Sequence, residues 1–202
     1  PRAIPSELLR RLSWTLTGLP ASENQIADFT ADSSPAATSR FIDEFLDSEQ
    51  FGIRWARHWL DVVRFAETCG YERDQTKPFA WKYRDWVVGA LNRDLPYDQF
   101  VIEQLAGDLL PHATVEQKVA TGFNRNNRTV TEAGSIEEEY RIENAVDRVE
   151  TTSTVFLGLT MGCARCHDHK YDPVTQNEFY EFLGFFNNVN EKGVYTETRG
   201  NV

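Results

Sequence analysis

Residues 51–68, FGIRWARHWLDVVRFAET, decide the fold class. Trp55, His58, Trp59, Val62, Val63 and Ala66 recur at helical spacing, which predicts one long amphipathic helix with His58 on its inward stripe. The same periodicity continues on both sides. Upstream, Ser22 followed by Gln25 has capping-box spacing ahead of ENQIADF. A second helix follows Pro35, with Phe41, Ile42, Phe45 and Leu46 on one face. Downstream of the loop 70–78, WKYRDWVVGALNRDL (81–95) aligns Trp86, Val87, Ala90 and Leu91, and Pro96 ends it. YDQFVIEQLAGDLL (97–110) and the short VEQKVATGF (115–123) follow, then the polar loop 124–135. Ile136 to about Leu157 reads as one long helix, and Thr175 with Glu178 caps a last one, NEFYEFLGFFNN.

The expectation is therefore an all-α fold, residues 1–202 forming a single domain of roughly eight helices. The polar tail 190–202 reads as unordered. The chain starts at Pro1 with no initiator methionine and reads as a fragment of a larger multi-domain protein. Thirty-one acidic against twenty-one basic residues give a net charge of −10, which argues against nucleic acid as a partner. No apolar run approaches the ~20 residues that cross a bilayer.

Chemistry concentrates between the last two long helices, in Cys163-Ala164-Arg165-Cys166-His167. Two thiols at this spacing can each add to a haem vinyl group while the next imidazole binds the iron, so haem c is the leading cofactor. Cys163 and Cys166 would attach it and His167 would be the proximal ligand. His58 is the candidate for the sixth position. Met161, the one methionine, lies two residues before Cys163 and suits the proximal side instead. Zinc is the alternative, with Cys163, Cys166 and two of His167, His169 and His58 as ligands; a second C-x-x-C pair is missing.

Three functions stay open on this reading: electron transfer, a haem-dependent oxidoreductase of peroxidase type with an open distal site, or a zinc-stapled interaction module. An open pocket could draw on Asp61, Arg64, Glu67 or Arg165. Glu137–Glu139 read as a solvated face rather than a calcium site, and Asp168 with Asp172 as a weak one. Cys69 reads as a free thiol and His112 as a surface residue.

RRLSWTLTGLP (10–20), RWARHWLDVVRFAET (54–68), WKYRDWVVGALNRDLPYDQFVIEQLAGDLLP (81–111) and DRVETTSTVFLGLTMGCARCHDHKYDP (147–173) together resemble the cytochrome-associated domain of unknown function found in planctomycete and related bacteria. The resemblance runs from about Leu8 to Asn188. It implies an exported, periplasmic or cell-surface protein whose redox partner is a neighbouring cytochrome-like domain or a separate protein. It establishes no activity. The family usually carries a histidine where this chain has Asn124.

Overall fold

The computed structural model describes residues 3–195. It is all-α: nine α-helices and no named strand occur among the described residues. In order they are α1 (Pro5–Leu16), α2 (Glu23–Ala31), α3 (Pro35–Leu46), α4 (Glu49–Val62), α5 (Ala80–Asn92), α6 (Tyr97–Ala106), α7 (Val115–Ala120), α8 (Glu137–Thr152) and α9 (Gln176–Asn187). The chain divides into two compact units. One holds the residues up to Asp61 together with Lys82–Ala120; the other holds Val62–Trp81 and everything from Thr121 on.

In the first unit, Leu9, Phe29, Phe41 and Phe45 from α1, α2 and α3 form one apolar cluster. Phe29 meets Phe41 edge-on at 5.3 Å, a favoured arrangement for two ring quadrupoles. The capping box at α2 forms as expected: Ser22 accepts from Gln25 N–H, and Gln25 returns the bond to Ser22 N–H. A second centre gathers around Gln104, which is fully buried. Its Oε1 accepts from Trp59 Nε1 at 2.9 Å and from Tyr83 Oη at 2.6 Å, and its Nε2 donates to Phe100 O. A buried carboxamide is tolerated because both ends are bonded.

α4 differs from its expected register. Its buried residues are Gly52 and Ala56, with Trp59 partly covered, and His58 is exposed. The reason is the close approach of α5. Gly52 N donates to Asn92 Oδ1 at 2.7 Å, and a Cβ at 52 would stand 2.6 Å from Val88 O. Small residues thus set the inner face, and Trp55 and Val62 turn outward. The helix also stops at Val62, because Arg64 adopts a left-handed backbone (φ 57°) that an α-helix cannot continue through.

The second unit is built on α8 and α9. Ala145, Val146, Val149, Met161, Ala164, Phe179 and Leu183 form its core. The expected single helix to Leu157 is α8 plus a π turn, Ser153–Leu157, closed by Gly158 at φ 65°. Ser153 Oγ donates to Val149 O at 2.5 Å, a back-bond that competes with the helical ladder. Part of the segment expected to be an unordered tail, 191–195, makes contacts with the rest of the unit. Val194 bridges to Val130, and Glu191 pairs with the buried Arg148. The remainder of that tail, 196–202, lies outside the described residues.

Candidate functional site

Met161–Arg165 form a single 3-10 helix, with Cys166 at its C-terminal cap. Residues three apart eclipse in that geometry, so the turn sorts its side chains by position. Met161 and Ala164 enter the core between α8 and α9, whereas Cys163 and Cys166 are exposed free thiols. Gly162 brings the turn close to α8: a Cβ there would stand 2.6 Å from Glu150 Oε1, and that flexible side chain would have to move aside. Burial against the turn pushes the Glu150 carboxyl above its usual range, and the charge of Asp147 adds to this.

Both long helices hold the turn. Arg165 donates bidentately to Glu143 on α8, at 2.5 and 3.0 Å. That pair holds Glu143 below the usual carboxylate range. The carbonyl of Arg165 accepts from Gln176 Nε2 and Tyr180 Oη of α9, each at 3.1 Å. The cap of α9 is a second capping box, with Thr175 and Glu178 in the expected roles. Its first N–H, Gln176 N, donates to Asp168 Oδ1 at 2.8 Å, which places a carboxylate at the positive end of the helix.

Asp168 also determines what His167 can do. His167 Nδ1 lies 2.7 Å from Asp168 O. A carbonyl oxygen only accepts, so Nδ1 carries the proton, and the neutral ring keeps its lone pair on Nε2. His169 has the opposite arrangement. Its Nδ1 accepts from Asp172 N at 2.8 Å and from Tyr171 N at 3.3 Å, which puts the proton on Nε2. The 3.5 Å approach of Asp172 Oδ2 to that same nitrogen is therefore two acceptors side by side, not an ion pair. His169 is a half-buried turn staple whose one acceptor lone pair, on Nδ1, is already taken.

For haem c the donor set fits. Two exposed thiols and an imidazole with Nε2 available stand together on one turn, and Ala164 between the thiols is anchored in the core. For zinc the residues fit less well, since His169 is committed to its turn. No group of three or more His, Cys, Asp or Glu that could hold a metal is assembled among the described residues.

A prediction follows for the unloaded protein. Nitrogen-15 NMR of the imidazoles should show His167 as the Nδ1–H tautomer and His169 as the Nε2–H tautomer. Asp168→Asn, which retains an acceptor for Gln176 N–H, should preserve the His167 signature, and Asp168→Ala should mix it. An Nε2–H signature for wild-type His167 would remove the argument for its lone pair.

His58 is on α4 of the first unit, edge-on to Trp55 at 5.4 Å between centroids. Met161 lies in the α8–α9 core, 6% exposed. Of the charged residues named for an open pocket, Arg64 is paired with Asp147 and Arg165 with Glu143. Asp61 and Glu67 are exposed. Glu137–Glu139 face solvent, with Glu138 held by Arg141. Cys69 is a buried free thiol, and His112 is exposed. Asn124 contributes its carbonyl to Arg148 Nε at 2.9 Å.

The polar interior of the second unit was not foreseen from the sequence. Arg148 and Glu191 form an ion pair with both side chains under 5% exposed. Lys77 is 9% exposed; its Nζ donates to Asn127 O at 2.8 Å, and burial lowers its pKa. A signal was present in α8, where Asn144, Arg148, Thr151 and Thr152 occupy inward positions that apolar residues would ordinarily fill.

An all-α protein whose C-x-x-C-H turn is clamped between its last two long helices is the class that fold and site define. The family model described as PSCyt2, a protein of unknown function (DUF1549), matches residues 1–191, and the chain belongs to that family, as the resemblance implied. No curated protein and no solved structure matches the chain.

Proposed function

We propose that this chain carries one covalent haem c and acts in electron transfer. The observation that supports the reading is the pairing of two exposed thiols with an imidazole whose Nδ1–H donates to Asp168 O. Cys163 and Cys166 would attach the group, and His167 Nε2 would bind the metal. When bound, the haem supplies one-electron redox chemistry. The chain's own part is to hold the imidazole in one tautomer and to fix the turn through Arg165, Gln176 and Tyr180. Such ligand support raises basicity and fixes ring orientation.

His58 is the proposed sixth ligand. Its exposure leaves the imidazole accessible, and Trp55 packs along it. An exported location, with a cytochrome-like domain or redox protein as partner, belongs to the same proposal, since thioether attachment takes place outside the cytoplasm.

The test is a pyridine haemochrome spectrum of protein matured in a host with a c-type assembly system, with zinc analysis on the same sample. A c-type band near one haem per chain supports the proposal. No haem with one zinc per chain overturns it in favour of a structural metal. In loaded protein, His58→Leu should convert a low-spin spectrum to high-spin. An unchanged low-spin spectrum takes His58 out of the sixth position. A wild-type spectrum that is already high-spin and shifts with cyanide replaces electron transfer with the open-site oxidoreductase.

A further inference from the structure

The segment Asn124–Asn127 and the inner face of α8 bring carboxamides and hydroxyls together inside the second unit. Asn127 is 4% exposed. Its Nδ2 donates to Arg128 O at 3.0 Å and to Asn144 Oδ1 at 2.9 Å. Among the described residues its Oδ1 is buried with no hydrogen-bond partner, and so is Asn126 Nδ2. Buried polar atoms in native proteins are almost always bonded, to protein or to an ordered water. Two unsatisfied groups of opposite sense in adjacent residues therefore point to a missing occupant.

There is room for one. Asn126 and Asn127 line a cavity of about 10 Å³ with Arg64, Asp147, Arg148 and Thr151, which is about the space a single water molecule requires. The charges around it are already matched. Arg64 donates to both Asp147 oxygens, at 2.8 and 2.7 Å, and Arg148 is paired with Glu191. Lys77 directs its ammonium to the carbonyls of Asn127 and Arg125. The carboxamides that line the cavity include a buried N–H donor, Asn126 Nδ2, and a buried acceptor, Asn127 Oδ1, which a neutral occupant able both to accept and to donate would serve.

We propose that this cavity is an interior hydration site: one water accepts from Asn126 Nδ2, donates to Asn127 Oδ1, and is sealed in by the Arg64–Asp147 pair. Arg64 is the exposed member of the lining, and its guanidinium also reaches Thr151 Oγ1. Its backbone sits at φ 57°, a region costly for a non-glycine residue unless surrounding contacts hold it there. The bidentate pair supplies that hold. The seal and the end of α4 are therefore the same residue.

The experiment is oxygen-17 water relaxation dispersion on the full unloaded chain, with high-resolution diffraction from the same protein. Wild-type protein should show a slowly exchanging water and density between Asn126 and Asn127. Arg64→Gly suits the left-handed backbone and removes the seal, so the slow component should be lost while the circular dichroism of the fold persists. Asn126→Ala, at a half-buried position, should lose it by removing the donor. An empty cavity, an ion in place of the water, or a slow component unchanged in Arg64→Gly would each overturn the proposal.

Discussion

Glu191→Gln should destabilise the second unit by about 3–5 kcal/mol, the usual cost of leaving one member of a buried ion pair uncompensated. Glu191 and Arg148 are 4% and 3% exposed in their side chains, so solvent cannot replace the lost partner. Arg148 Nε would still donate to Asn124 O, but its charge would stay buried. The double variant Arg148→Met/Glu191→Leu should recover most of the loss, since apolar replacements of similar volume are often neutral. Urea denaturation of the wild type and the two variants reads this directly, and a single-variant loss below about 1 kcal/mol would show that the pair is not the unit's polar anchor.

Tyr195 reports on the same pair. Burial first, then the charge of Glu191, push its phenol up to about 12. Its folded pKa is thus above the unfolded value of about 10. Its contribution to stability is complete below pH ~10 and is lost as pH rises through ~12. In Glu191→Gln the second cause is gone, and the phenolate absorbance should appear at lower pH. No shift between wild type and variant would mean that burial alone sets Tyr195.

What could be read from sequence depended on how local the cause was. The two capping boxes, Ser22/Gln25 and Thr175/Glu178, were legible because both partners lie within three residues. The position of the C-x-x-C-H turn between α8 and α9 was legible for the same reason. The inner face of α4 was not. Bulky Trp55 and His58 dominate any hydrophobic pattern, yet the face was set by Gly52 and Ala56, whose value appears only when α5 comes close. α1 was missed because its N-cap, Ile4, contributes no side-chain bond, and only Pro5 at its first turn marks the start. The assignment of proton positions on His167 and His169 needed the loop 168–172 in three dimensions, since each ring's partner is a backbone group. The Arg148–Glu191 pair joins residues 43 apart, and no local pattern announces it.

On the proposed haem c reading, the largest functional effect should come from Cys163→Ser/Cys166→Ser, in which covalent haem falls from one per chain to none while the fold persists. Both sulfurs are exposed, so replacing them opens no cavity and removes no buried contact. The turn keeps every restraint that places it: Met161 and Ala164 in the core, Arg165 on Glu143, and the Arg165 carbonyl on Gln176 and Tyr180. Each single variant should retain one thioether and a displaced haemochrome band, because the other thiol and His167 are untouched. Ala164→Leu is the complementary control. Ala164 is fully buried, and overpacking there should cost about 1–3 kcal/mol while both thiols remain. The pair of experiments separates attachment from architecture. Mass spectrometry of the double variant still showing covalent haem would mean that attachment lies elsewhere. Unfolding of the double variant without haem ever being present would mean that the thiols are structural, and the electron-transfer reading would fall with that result.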